Sequence, residues 1–115
     1  MKDFKQQILR GQIVEGMNFN QKVWALTARI PKGQLATYGD IAHALGTKAY
    51  RAVGNAMNQN PYAPQVPCHR VVGNTGRLTG FAGGLAKKQK MLEAEGVPCQ
   101  NSRVKEFQKF EFQAS

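Results

Sequence analysis

Residues 37–58 read TYGDIAHALGTKAYRAVGNAMN, two short amphipathic patterns separated by a glycine. Thr37 can cap a helix, and Asp40 stands at the reciprocal position of a capping box. Gly46 ends this helix, and the apolar spacing predicts a second helix from about residue 48 to residue 58. Two short helices joined at a glycine turn are the outline of a helix-turn-helix.

The second predicted helix has two unlike faces. The residues of its inner face are apolar, namely Ala52, Val53, Ala56 and Met57. The residues of its outer face are polar, namely Arg51, Asn55 and Asn58. This division predicts that one face packs against a core and that the other meets solvent or a partner.

Two further helices are predicted on either side of this pair. Residues 20–29 have helical apolar spacing, and the breakers in residues 31–33 end the pattern. Residues 85–95 form a final amphipathic pattern that ends at Gly96. With so few segments of strand character, the chain is expected to be mainly α-helical with short strands and turns.

The chain is expected to form one domain with two extensions. Its length fits one compact domain, assigned to residues 19–97. Residues 1–18 are an N-terminal arm, for which a short hairpin, a short helix and a loose arm all fit the sequence. Residues 98–115 are a C-terminal tail, and its phenylalanines indicate that it packs on the domain.

Charge and composition narrow the class of partner. The chain has 16 lysines and arginines against 7 acidic residues, a net charge of +9. This excess favours nucleic acid first and an anionic membrane second, and a merely basic soluble protein is the plain alternative. No apolar run is long enough to span a membrane, and no secretory signal is expected. No residue spacing is typical of a metal site.

The two cysteines, Cys68 and Cys99, are too few for a disulfide framework. Free thiols in a reducing cytoplasm are therefore expected, with a bridge between the two as the alternative. Residues 66–72 read VPCHRVV and place Cys68 beside an imidazole and a guanidinium at the predicted start of a strand. The thiolate is the reactive form of cysteine, and nearby positive charge favours it.

A nucleophilic cysteine needs a base and a group that orients the base. His69 follows Cys68, but neighbours on a strand point to opposite faces, so a bridging water is expected between them. Glu95 extends the apolar face of the last helix and stands where its charge opposes the helix dipole. We therefore predict that Glu95 holds His69 and that Lys87, Lys88 and Lys90 face phosphate. The alternatives are a buried histidine bonded to backbone and ordinary surface charge.

Six short blocks resemble the O6-alkylguanine-DNA alkyltransferase family. They are TYG at 37–39, RAVG at 51–54, NP at 60–61, VPCHRVV at 66–72, GG at 83–84 and EG at 95–96. Their order and spacing are similar to those of the family's C-terminal catalytic domain. The resemblance implies a winged-helix-like helix-turn-helix catalytic domain of the alkyltransferase type, and it covers residues 19–97.

The resemblance implies a role for each matching residue of the reaction centre. Cys68 accepts an alkyl group in an irreversible transfer that consumes the protein. His69 removes the thiol proton through a water, and Glu95 orients His69. Tyr38 lies beside a flipped base and helps protonate the departing guanine, while Asn60 ties the recognition helix to the active-site turn.

The implied partner is double-stranded DNA that carries O6-alkylguanine, bound by a monomer with no cofactor, no zinc and no membrane contact. Arg51 is implied to enter the base stack and fill the gap left by the extruded nucleotide. Thr37, Asn55 and Asn74 are the further implied DNA contacts. Docking in the minor groove is expected. The base pocket is implied to be walled by Phe81, Ala82 and Gly83.

The sequence departs from the family at two pocket positions. Phe81 stands where tyrosine is usual, and Ala82 stands where some members have serine. Without the serine hydroxyl, a backbone N–H must donate the hydrogen bond to the O6 atom of guanine. One alternative is an alkyltransferase-like protein that binds alkylated DNA without transfer. Such proteins typically replace the acceptor cysteine, so Cys68 favours the enzyme. A third hypothesis is a basic helix-turn-helix regulator with a structural cysteine, but this hypothesis leaves Glu95 unexplained.

Overall fold

The computed structural model describes residues 3–79 and 84–112. The α-helices are α1 (Lys5–Leu9), α2 (Phe19–Ala28), α3 (Tyr38–Ala44), α4 (Tyr50–Asn58) and α5 (Leu85–Ala94). The strands are β1 (Ala36–Thr37), β2 (Val71–Val72), β3 (Cys99–Gln100) and β4 (Arg103–Val104). Short 3₁₀ segments occupy Cys68–Arg70, Asn74–Gly76 and Phe107–Lys109. The prediction of a mainly helical chain with short strands is confirmed.

Helix α3 begins as its capping residues predicted. The Thr37 hydroxyl accepts a hydrogen bond from the backbone N–H of Asp40 at 2.9 Å, and the Asp40 carboxylate accepts one from Thr37 N–H at 3.0 Å. Two backbone donors at the helix start are thereby satisfied. Helix α4 begins at Tyr50 rather than near residue 48. The Thr47 hydroxyl accepts from Ala49 N–H at 3.2 Å, which holds these residues in the turn instead.

The two-residue parallel ladder of β1 and β2 separates two apolar cores. Ala36 pairs with Val71, and both face the core built by α2, α3 and α4. Leu35 and Val72 face the other core. That second core also contains Leu78, Leu92, Val97, Val104 and Phe107, from α5 and the C-terminal segment. Side chains of successive strand residues point to opposite faces, so this short ladder serves both cores.

The terminal segments pack on this framework. Ile8 of α1 is fully buried, in a small cluster with Met17 and Val66. Strands β3 and β4 form an antiparallel hairpin behind α5. Near the C-terminus, Leu35 N–H donates to Phe110 C=O and Phe112 N–H donates to Leu35 C=O, both at 2.7 Å. The C-terminal segment is thereby bonded alongside the entry to β1.

The segment around Cys68 differs from the predicted strand entry. Cys68 N–H donates to Val66 C=O and Arg70 N–H donates to Pro67 C=O, each at 2.9 Å, so the chain turns tightly here. The strand begins only at Val71. In a 3₁₀ turn of three residues per turn, successive side chains are about 120° apart. The expected alternation of Cys68 and His69 across a strand was therefore wrong. Within the described ranges, no helix is long and apolar enough to cross a membrane.

Candidate active site and nucleic-acid interface

Cys68 is a half-buried free thiol at the start of the 3₁₀ turn. Cys99 is also free, so the expectation of two unbridged thiols is confirmed. Burial raises the pKa of Tyr38, and a charge on Cys68 raises it further. The same sulfur charge opposes the burial that lowers the pKa of Lys88. Cys68 therefore lies within electrostatic reach of a phenol and an ammonium.

His69 is buried and bonded to Glu95, as predicted. Its Nε2 lies 2.9 Å from Glu95 Oε2. Burial lowers the pKa of His69 below its usual value of 6.5, so the ring is neutral at pH 7. An ionised carboxylate can only accept a hydrogen bond, so Nε2 carries the ring proton. Nδ1 is left as the basic nitrogen.

Arg70 holds the other side of Glu95, a role that the sequence reading missed. Its Nε donates to Oε1 at 2.9 Å and its Nη2 donates to Oε2 at 2.7 Å, which is a bidentate ion pair. Its Nη1 donates to the carbonyl of Ile30 at 2.8 Å. Burial alone would raise the pKa of Glu95, but the hydrogen bonds from Arg70 and His69 lower it to about 2.

The prediction that Lys88 faces phosphate is wrong. Lys88 is fully buried, and its Nζ donates to Val71 C=O at 2.7 Å and to Thr79 C=O at 2.9 Å. Burial lowers its pKa to about 8, so the ammonium form still predominates at pH 7. Its spacing of four from the buried Leu92 places it on the inner face of α5, a signal that was visible in the sequence. Lys87 and Lys90 are exposed.

Tyr38 links this buried region to the open surface. Its hydroxyl donates to Thr79 C=O and accepts from Thr79 Oγ1, both at 3.3 Å. Lys88 Nζ lies 5.8 Å from the centre of its ring. Since burial raises the pKa of Tyr38, the phenol keeps its proton at neutral pH and can donate it.

Tyr38 and Tyr50 line two adjoining cavities of about 420 Å³ each. One is shared with Thr37, Gly39 and Asn74. The other is shared with Arg51, Gly54, Asn55, Asn58 and Thr79. The structure therefore brings Tyr38 together with four of the predicted DNA contacts, Thr37, Arg51, Asn55 and Asn74. The predicted contacts Phe81, Ala82 and Gly83 lie outside the described residues.

Asn60 joins α4 to the turn that carries the thiol. Its Nδ2 donates to Val66 C=O at 2.9 Å, and its Oδ1 accepts from Tyr62 N–H at 2.9 Å. The segment before Cys68 is thereby fixed to the end of α4. The residues on the outer face of α4, Arg51, Asn55 and Asn58, are exposed. Within the described residues their side chains make no hydrogen bond and no ion pair, and no cluster there has the composition of a metal site.

Known proteins resemble this chain over most of its length. Residues 18–97 match the family model described as 6-O-methylguanine DNA methyltransferase, DNA binding domain. The methylated-DNA–protein-cysteine methyltransferase of Methanosarcina acetivorans is 52% identical over 83 residues, which are 71% of this chain and 53% of that protein. The chain spans about half the length of the curated relatives it matches.

Two kinds of solved structure share the fold. One is the OGT protein of Mycobacterium tuberculosis in complex with DNA, with a TM-score of 0.66 and 41% identity over 81% of this chain and 63% of that chain. The other is Atl1 of S. pombe in complex with damaged DNA containing O6-carboxymethylguanine, with a TM-score of 0.71 and 32% identity over 82% of this chain and 94% of that chain. On the family match and these relatives, the chain belongs to the 6-O-methylguanine DNA methyltransferase family.

Proposed function

We propose that this protein repairs double-stranded DNA by moving an alkyl group from the O6 atom of guanine to Cys68. The observation that carries the proposal is a free thiol beside a neutral histidine whose Nε2 is fixed on Glu95 at 2.9 Å. This arrangement supplies a nucleophile, a base and a group that orients the base. A relative that is 52% identical over 83 residues carries the name of this activity.

The transfer needs one displacement and two proton movements. Cys68 gives its proton to His69 through a bridging water, and the sulfur bonds to the alkyl carbon as the bond from that carbon to O6 breaks. The electron pair of the broken bond stays on guanine, which takes a proton from Tyr38. Glu95 stabilises the imidazolium that forms on His69. The thioether persists, so each molecule acts once, and no cofactor is needed for the step.

The damaged base must leave the duplex before the sulfur can reach it. Extruding a nucleotide costs a few kcal/mol. Arg51 is exposed and lines a cavity with Tyr38, which supports a role in filling the gap in the stack. The net charge of +9 supports sequence-tolerant contact with phosphates. A cytoplasmic location is part of this proposal, and two free thiols are compatible with a reducing compartment.

The test is direct measurement of a covalent product. The intact protein is incubated with a duplex that carries O6-methylguanine, and its mass is measured before and after. We expect the gain of one methyl group, located on the peptide that contains Cys68. Cys68→Ala should bind the duplex and gain nothing. Cys99→Ala is the matched control and should react normally, because burial and the Glu93 charge raise the pKa of the Cys99 thiol. A methyl group on any other residue would refute the acceptor role of Cys68.

A second candidate function is lesion binding without transfer. The observation that favours it is the similarity to Atl1, 94% of whose chain is matched. The two functions separate in the same experiment. Tight binding of O6-methylguanine DNA without a mass change in the wild-type protein would establish the binder and overturn the enzyme.

A further inference from the structure

A cavity between the hairpin of β3 and β4 and the segment at Arg77 is lined by two arginines that have no ion-pair partner among the described residues. It has a volume of about 380 Å³ and is lined by Arg77, Leu78, Gln100, Asn101, Ser102 and Arg103. We name it the arginine cavity. Five of its six side chains can donate hydrogen bonds, and none is acidic. Its chemistry fits an anion with several oxygen atoms.

The placement of the two arginines has an energetic cost in the free protein. Arg77 and Arg103 face each other in an antiparallel bridge, and like charges directly opposite each other destabilise a strand pair. Within the described residues, neither guanidinium makes an ion pair or a side-chain hydrogen bond. An anion between them would offset the repulsion and satisfy both groups.

The backbone around the arginine cavity is held in place. Asn101 and Ser102 have φ values of 55° and 59°, which makes a tight two-residue turn between β3 and β4. Ser102 C=O accepts from Leu78 N–H at 2.9 Å, which fastens this turn to the neighbouring segment. The two arginine backbones are therefore positioned before any ligand arrives.

The arginine cavity lies close to the Tyr38 cavity along the chain. Asn74 lines the cavity that Tyr38 shares with Thr37 and Gly39, and Arg77 lines the arginine cavity. Three peptide units separate them, so their Cα atoms are at most about 11 Å apart. The phosphates of one strand of a duplex recur about every 3.4 Å along the helix axis. A duplex seated at Tyr38 would thus bring phosphates up to about three base-pair steps away within reach of Arg77.

We propose that the arginine cavity docks backbone phosphates of the DNA strand that flank the lesion. The proposal rests on the proposed function, because it names a second contact for the same DNA. The hairpin of β3 and β4 lies beyond residues 18–97, the span of the family match. The arginine cavity therefore combines Arg77, which lies within that span, with Arg103, which lies beyond it, and the contact touches no reacting atom.

The test compares two variants that each lose two positive charges. R77Q/R103Q removes the charges of the cavity, and K5Q/R10Q removes exposed charges from the α1 region. Binding of the full chain to a duplex of about two helical turns is measured by fluorescence anisotropy at several salt concentrations. For R77Q/R103Q we expect an affinity loss on the order of tenfold and a salt slope smaller by about 1.8, which corresponds to two phosphates. R77K/R103K should recover most of the affinity.

A scan with single neutral methylphosphonates then locates the contact. Wild-type affinity should fall at one or two phosphates beside the lesion, whereas the affinity of R77Q/R103Q should not change there. The docking role is overturned if R77Q/R103Q and K5Q/R10Q have the same affinity and the same dependence of affinity on salt. It is also overturned if R77Q/R103Q transfers the methyl group more slowly than wild type at saturating DNA. If wild-type protein binds no duplex, the proposed function fails instead.

Discussion

Two regions of this protein present polar side chains in opposite ways. The charged cluster, formed by His69, Arg70, Lys88 and Glu95, is buried or half-buried, and each member has hydrogen-bond partners within 3 Å. The outer face of α4, formed by Arg51, Asn55 and Asn58, is exposed and without side-chain partners in the described residues. The groups proposed for chemistry are fixed before DNA binds, while those proposed for recognition lose rotamer freedom only on contact.

This contrast predicts different costs of substitution. In the charged cluster, removing one member leaves its neighbours buried and unpaired, which impairs both stability and reaction. On the outer face of α4, substitution leaves the free protein unchanged and impairs only the steps that involve DNA. Glu95 and Arg51 test this difference directly, and Thr37, which lies in neither region, provides a reference of smaller effect.

Glu95→Gln should have the largest effect. A positioned base typically contributes about 10²–10⁴-fold, and the amide no longer fixes the tautomer of His69 by charge. We expect the single-turnover rate of methyl transfer to fall by about that factor, measured by rapid quenching on O6-methylguanine duplex. Glu93→Gln is the matched control, because Glu93 is exposed two residues away. Equal rates in the two variants would remove Glu95 from the reaction.

The same variant tests the stability of the cluster through pH. The pKa of Glu95 falls from 4.5 to about 2 on folding, so the folded state favours the ionised form. This contribution of about 3 kcal/mol is present above pH 4.5 and is lost as pH falls towards 2. Urea unfolding of wild type and Glu95→Gln should therefore converge on acidification. A gap that stays constant from about pH 6 to about pH 3 would contradict the role of the carboxylate charge.

Arg51→Ala should have an intermediate effect that depends on the substrate. If Arg51 fills the stack, its loss should slow transfer from a duplex by about 10–100-fold, the equivalent of part of the extrusion cost. Transfer from a single strand with the same base should be unchanged, and so should the melting temperature. Arg10→Ala, which also removes an exposed arginine, serves as control. If transfer slowed equally on the duplex and on the single strand, Arg51 would not be the residue that fills the gap in the stack.

Thr37→Val should have the smallest effect. Loss of a side-chain cap typically costs about 1 kcal/mol, and the Thr37 hydroxyl caps α3 at 2.9 Å. We expect this loss in the free energy of unfolding, measured by urea titration. Thr47→Val, which removes a hydroxyl bonded in the turn at 3.2 Å, should cost less. An equal loss of unfolding free energy in both variants would mean that the cap stabilises the protein no more than the hydrogen bond in the turn does.

Local patterns in the sequence were sufficient for part of this structure. The capping box of Thr37 and Asp40 was predicted, because both partners lie within one helical turn. The contact of Glu95 with His69 was predicted from the placement of a carboxylate against the helix dipole. These signals need only short spacing or one helical face.

What was missed has one local cause and two non-local causes. The 3₁₀ turn at Cys68 follows two tight backbone bonds that apolar spacing does not encode. The burial of Lys88 depends on two carbonyls, of Val71 and Thr79, which are 17 and 9 residues away. The bidentate ion pair of Arg70 with Glu95 depends on the position of α5. The hydrogen-bond partners of Lys88 and Arg70 need a tertiary arrangement that no window of sequence contains, although the spacing of Lys88 from Leu92 already indicates its place on the inner face of α5.

Arg70 has a consequence for any attempt to transplant the reactive heptapeptide. Its guanidinium reaches Glu95, 25 residues downstream, and Ile30, 40 residues upstream. A synthetic peptide of residues 66–72 would have neither anchor. We expect its cysteine to react like a cysteine in any unstructured peptide. A portable unit must therefore run at least from Ile30 to Glu95, since only a folded stretch of that extent contains Arg70 and both of its anchors.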